Sequence, residues 1–265
     1  MSLTTQNEVT WVAIGDSITY LNDHADETKN RVTKGYLTGV TEALPNIKYI
    51  NQGHNGWTAQ GIGREIENLG LIKADVYTVF LGTNDWWAGI PAGTLRDYVN
   101  DTGIGTSSGA YRKIIIKIRS LNPTAKIVLI TPMQRNDFVY INDPNNNAYG
   151  SYKDKNGQSL ELCANAILAI GKYEHIPVVD LYHNKALSIK NTVKFKRLKD
   201  TAGNYKNYEF PKSIGVPFNP AVDDYPYPVA AQDMTFDGLH LSDKGYEVIT
   251  KEIVSLFKKL KLQGN

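Results

Sequence analysis

At 265 residues the chain is long enough to bury a sizeable core in one large domain or two small ones. Its 29 basic and 27 acidic side chains leave a formal net charge of +2 with no long run of one sign, which argues against a nucleic-acid or anionic-membrane partner and against a polyanionic substrate. The single cysteine, Cys163, excludes an intrachain disulfide and a cysteine-rich zinc module, and within its helical pattern it reads as a small buried apolar residue. No apolar run reaches transmembrane length, and the polar start, residues 1–8, lacks the apolar core of a signal peptide. The chain as it stands is expected to be soluble, with its compartment open.

In chain order, residues 11–14 (Trp-Val-Ala-Ile) predict a buried strand punctuated by Gly15, and Asp16-Ser17 follow just past its carboxyl end. A helical pattern over 35–44 stops before Pro45, and a second strand over 47–51 runs into the turn Asn51-Gln52-Gly53-His54-Asn55-Gly56-Trp57-Thr58. Its glycines mark a place where backbone N–H groups can point outward. A helix over 58–69 precedes a β-rich third strand, 76–81, which ends in Gly82-Thr83-Asn84-Asp85-Trp86-Trp87. Next come a helix over 110–121, a strand over 126–131, a helix over 159–173 and a strand over 177–181. The chain closes with Asp237-Gly238-Leu239-His240 and a helix over 243–260 capped by Ser242. Such alternation predicts one α/β domain over residues 1–265, a five-stranded parallel sheet covered on both faces. Residues 86–109, 136–156 and 191–233 read as long irregular loops, of the kind that tend to be functional.

In a doubly wound sheet of order 2-1-3-4-5, strands one, two and three are adjacent, and their carboxyl ends converge at the switch point where such sheets hold ligands. Ser17, Gly56 and Asn84 follow those three strands. This is the arrangement acyl transfer needs: a serine nucleophile, with the backbone N–H groups of Ser17 and Gly56 and the Asn84 amide as fixed donors to a developing oxyanion. Of the five histidines, only His240 has a carboxylate at a close fixed spacing in a glycine-containing turn. Asp237 can fold back onto its Nδ1, leaving Nε2 to take the Ser17 proton.

Gly15-Asp16-Ser17, the turn with Gly56, Gly82-Thr83-Asn84-Asp85, and Asp237-Gly238-Leu239-His240-Leu241-Ser242 with Gly245-Tyr246 together resemble the four blocks of the GDSL/SGNH serine hydrolases, in family order along the chain. Asn55 stands where many members carry serine, and Ile18 replaces the leucine of the motif name. The resemblance implies a flavodoxin-like three-layer α/β/α sandwich and ester hydrolysis. It also implies Ser17 as nucleophile, Gly56 and Asn84 as oxyanion donors, and Asp237 with His240 as base. It calls for no cofactor and no metal.

Other residues near these blocks carry two readings. Asp16 reads foremost as a structural anchor of its turn, and His54 either touches substrate or packs in its turn. Trp86 and Trp87 are consecutive aromatics in a stretch read as loop, so at least one is expected to face the cleft, and all four residues are candidate substrate contacts. With 16 tyrosines in the chain, Tyr140, Tyr149, Tyr152, Tyr225 and Tyr227 are expected to rim the site and stack sugar rings. Asp223, Asp224, Asp233 and Asp237 fit no metal-ligand spacing. The expected activity is an esterase removing acetyl or another short acyl group from a carbohydrate or similar polar alcohol. Rivals are a lipase, lysophospholipase or thioesterase with an apolar acyl groove, and a catalytically silent carbohydrate-binding protein on the same fold.

Overall fold

A computed structural model describes residues 8–263, so nearly all of the polar start lies outside the described residues. The elements follow in chain order as β1 (Val9–Gly15), α1 (Ser17–Tyr20), α2 (Tyr36–Ala43), β2 (Ile47–Gly53), α3 (Ala59–Glu65) and β3 (Val76–Phe80). They continue as α4 (Thr83–Ala88), α5 (Leu95–Val99), α6 (Ser107–Leu121), β4 (Lys126–Ile130), β5 (Phe138–Val139) and β6 (Asn147–Ala148). Last come α7 (Leu160–Glu174), β7 (Val178–Val179), β8 (Lys196–Lys199), β9 (Tyr205–Tyr208) and α8 (Asp243–Lys259). Strands β2-β1-β3-β4-β7 form one parallel sheet, the expected order once the β5–β6 hairpin is set aside.

The period-two alternation of the strands decides which layer each residue joins. Trp11, Ala13, Val76, Phe80, Val128 and Ile130 face one side and pack with Tyr36, Val40, Ile249, Ile253 and Phe257 of α2 and α8. Val12, Ile14, Tyr77, Val79, Ile127 and Leu129 face the other, against Ile62 of α3, Ile114 and Ile118 of α6, and Ile167 of α7. Both faces are covered, so the strands read as near-continuous apolar runs. The Trp11 indole N–H, which would otherwise be orphaned in this core, donates to Thr78 Oγ1 at 3.0 Å.

Caps explain where the helices begin. Thr58, Thr106, Ser159 and Ser242 each accept a backbone N–H from the first turn of α3, α6, α7 and α8. Strand β7 is shorter than the expected 177–181. Thr131 Oγ1 accepts the Leu181 and Tyr182 N–H groups at 2.8 and 3.1 Å, so a side chain replaces the ladder after Val179. The three stretches read as loops contain structure. The end of α4, the short helix α5 and the start of α6 fall within 86–109, the β5–β6 hairpin crosses 136–156, and the β8–β9 hairpin crosses 191–233. Among the described residues no helix is long and apolar enough to cross a membrane, and no group of three His, Cys, Asp or Glu side chains is arranged to hold a metal ion.

Candidate active site

Ser17 opens α1 at the end of β1, held there by its neighbour. Asp16 caps α1, with Oδ1 accepting the Ile18 N–H at 3.0 Å, and its carboxylate is buried rather than turned to solvent. Burial pushes the Asp16 carboxyl up to about 6. Asp16 is thus a turn anchor.

The facing loop is built on one carboxylate as well. Asp237 Oδ1 accepts the N–H groups of Leu239 and His240 at 3.0 and 2.7 Å, which folds the four-residue turn back on itself. That leaves Oδ2 2.7 Å from His240 Nδ1. Gly238 sits at φ +92°, and a Cβ there would lie 2.0 Å from the Asp137 carbonyl oxygen, so the turn admits no side chain at that position. The segment entering β5 braces it: Asn136 N–H donates to Gly238 O at 2.9 Å and Val139 N–H to Asp237 O at 3.2 Å. With an acceptor carboxylate at Nδ1, that nitrogen carries the proton and Nε2 is free to accept. Nε2 lies 2.8 Å from Ser17 Oγ. Phe138 stands edge-on to the imidazole at 5.3 Å and Phe236 stacks on it at 6.0 Å, so the ring is clamped.

Gly56 and Asn84 line the same cleft as Ser17 and His240, a cavity of about 450 Å³. Gly56 adopts φ +74°, a left-handed conformation that a side chain would strain. Asn84 Nδ2 donates to Trp57 O at 3.0 Å, which orients the amide with its second N–H still available. Asp85 couples the two loops: its carboxylate accepts Ala59 N–H at 2.8 Å and Ser107 Oγ–H at 2.9 Å, tying the first turn of α4 to the starts of α3 and α6. Burial raises its pKa too. A hydroxyl bonded to a carboxylate-oriented imidazole, beside two donors, is an arrangement able to attack a carbonyl carbon and hold the resulting oxyanion.

The model of the GDSL-like lipase/acylhydrolase family matches residues 13–248. The chain belongs to that family. Family membership brings hydrolysis of ester bonds as the activity class. A crystal structure of a possible lipase from Chitinophaga pinensis is similar throughout this GDSL chain, with 64% identity and a TM-score of 0.96 over 97% of this chain and 100% of the other. Two distant structures share the fold. A protein from Lactobacillus plantarum superposes with a TM-score of 0.60 at 17% identity, covering 96% of this chain and 98% of its own. A catalytic mutant of an acetylxylan esterase from Geobacillus stearothermophilus gives 0.52 at 15%, covering 96% and 95%. No curated protein matches the sequence.

The remaining expected contacts divide. Trp87 lines the cleft, whereas Trp86 is fully buried with its indole N–H donated to Gln158 O at 3.0 Å. Both belong to helix α4 rather than to a loop, so consecutive residues point to different sides. His54 packs on Trp57, ring centroids 4.6 Å apart, outside the cleft lining; burial lowers its pKa. Of the five tyrosines, Tyr140 alone lines the cleft. Tyr149 packs on both tryptophans, while the hydroxyls of Tyr152, Tyr225 and Tyr227 are committed to Asp137 and to the carbonyls of Val139 and Asp137. The cleft also takes Arg135, Phe138 and Leu239, which the sequence reading passed over. Arg135 had one available signal: it follows the carboxyl end of β4, where such sheets gather their ligand-binding groups.

Proposed function

We propose that this chain is a serine esterase that removes acetyl or another short acyl group from a carbohydrate or similar polar alcohol. The observation that carries the reading is the unbroken hydrogen-bond chain from Asp237 through His240 to Ser17 at a cleft shared with Gly56 and Asn84. Ser17 Oγ attacks the ester carbonyl carbon as its proton passes to His240 Nε2, and Asp237 stabilises the imidazolium that forms. The oxyanion draws on the N–H groups of Ser17 and Gly56 and the second N–H of Asn84. Collapse expels the alcohol, which takes the proton from Nε2. Water then repeats the sequence on the acyl-enzyme, releasing the acid and restoring Ser17.

Trp87 and Tyr140 offer stacking faces, and Asn55, Thr58 and Asn146 offer hydrogen bonds, which suits a polyhydroxylated alcohol. An acetylxylan esterase shares the fold, in keeping with such a substrate. A second reading, a lipase, draws on the apolar part of the lining (Leu21, Phe138, Ala148, Leu239) and on the Chitinophaga protein described as a possible lipase. Nitrophenyl esters from acetyl to palmitoyl, with acetylated sugars alongside, decide between the two. A groove for the chain adds about 0.8 kcal/mol per buried CH₂, so kcat/KM rising with length favours the lipase, and a fall from acetyl to octanoyl favours the short-acyl esterase. Inactivity on every ester with the fold intact would favour a silent binding protein.

A further inference from the structure

Arg135 is a buried cation with almost nothing to answer it. Its side chain is 1% exposed and lines the cleft that holds Ser17 and His240. Among the described residues, only one of its five N–H donors, at Nη2, has a protein acceptor, the Tyr149 carbonyl at a long 3.4 Å, and Nε is buried with no partner there. Among the described residues no carboxylate comes within ion-pair distance of it. The two nearby acids are engaged elsewhere: Asp137 with Lys196 at 2.6 Å, Asp237 with His240. What holds the guanidinium is aromatic. It lies over the rings of Trp86, Trp87 and Phe138 at 5.5, 5.5 and 5.9 Å. Burial lowers its pKa to about 10, so it is charged at neutral pH.

Cation–π contacts fix the plane of a guanidinium but leave its edge donors unsatisfied, and an unsatisfied buried donor costs free energy. The cleft supplies the place for an acceptor. Phe138, on which the guanidinium rests, also stands against the His240 ring, so the cation is one aromatic ring away from the reacting centre. The acid that does line the cleft, Glu27, already accepts from Tyr20 Oη at 2.8 Å and faces His24 at 3.6 Å.

We infer that the natural ester carries a carboxylate close to its scissile bond, in the acyl or the alcohol part, and that Arg135 is the specificity-determining residue that receives it as a paired acceptor. Planar guanidinium and carboxylate match in geometry, and one ligand group would satisfy two edge donors. This rests on the esterase reading above and narrows its substrate to singly charged esters: an acylated uronic acid if the charge is on the alcohol, a dicarboxylic half-ester if it is on the acyl group.

Two matched pairs test it. Nitrophenyl hemisuccinate against nitrophenyl butyrate varies the charge of the acyl group, and acetylated methyl glucuronoside against acetylated methyl glucoside varies that of the alcohol. Wild-type enzyme is expected to prefer the charged member of one pair by about tenfold or more in kcat/KM, the factor a charge-assisted hydrogen bond supplies. The pair that responds identifies the source of the charge. In Arg135→Met that ratio should collapse toward one, and Arg135→Lys should restore part of it. A ratio near or below one for both pairs in wild type, or a preference kept in Arg135→Met, overturns the inference while leaving the esterase intact. Should Arg135→Met fail to fold, inhibition of wild type decides: free glucuronate or succinate binding more tightly than glucose or butanol supports the inference, and equal binding overturns it. No turnover of any of the four esters overturns the esterase reading itself.

Discussion

His240 Nε2 stands 2.8 Å from Ser17 Oγ although 223 residues separate them, and the opposite nitrogen of the same ring stands 2.7 Å from Asp237. The first distance is made by the sheet, which brings the end of β1 to the closing turn. The second is made within four residues. Asp237→Asn separates these contributions, since an amide oxygen still accepts the turn N–H groups, while its NH₂ turned toward Nδ1 selects the wrong tautomer. We expect kcat to fall by about 10⁴-fold with the fold retained. Near-wild-type kcat in a folded Asp237→Asn variant would show that the carboxylate has no part in turnover.

Asn84 donates one amide hydrogen to Trp57 O and keeps the other for the cleft. If the second serves the oxyanion, Asn84→Ala lowers kcat by about 10²- to 10³-fold with KM little changed. A raised KM at unchanged kcat would make Asn84 a ground-state binding group instead.

Trp86 and Trp87 should separate by type of measurement. Trp86→Ala removes a fully buried ring that backs Arg135 and is expected to cost about 3–5 kcal/mol of stability, read as a lower melting temperature. Trp87→Ala should leave the melting temperature closer to wild type and lower kcat/KM more on acetylated sugars than on nitrophenyl acetate. Equal losses on both esters would remove Trp87 from alcohol recognition.

Asp16 makes folding depend on pH. Its carboxyl keeps its proton to about pH 6 in the folded chain, against 3.8 for the free group. Between those values the folded state binds more protons than the unfolded one, so stability falls as pH rises through that window, on the order of 2–3 kcal/mol from this group. Asp85, also raised by burial, acts in the same direction. Asp16→Asn keeps the acceptor for Ile18 N–H and removes the charge, so denaturant midpoints between pH 4 and 6.5 should slope less than in wild type. An unchanged slope would place the ionisation elsewhere.

Much of this was legible because it is local. Apolar runs closed by glycine mark β1 and β3, an apolar run after Pro123 marks β4, and loop residues just past strand ends mark Ser17, Gly56 and Asn84. Asp237 and His240 share one turn. What escaped depends on partners distant in sequence. Lys196-Arg197-Leu198-Lys199 has no β signature, and its first residue is buried only because Asp137 meets it across 59 residues. Tyr225 and Tyr227 resemble rim residues until their hydroxyls are found bonded to carbonyls some 90 residues earlier, 86 for Tyr225 and 90 for Tyr227. The loop reading of the stretch at Trp86 and Trp87 fails because α4 is six residues long, too short for periodicity to announce a helix.

Ser17 carries the central claim, and covalent labelling tests it most directly. An organophosphonate ester should label wild-type protein once, at Ser17, with loss of esterase activity in step with labelling. Ser17→Ala should fold, take up no label and lose several orders of magnitude in turnover. Labelling of Ser17→Ala equal to that of wild type, or esterase activity surviving in it, would contradict the account.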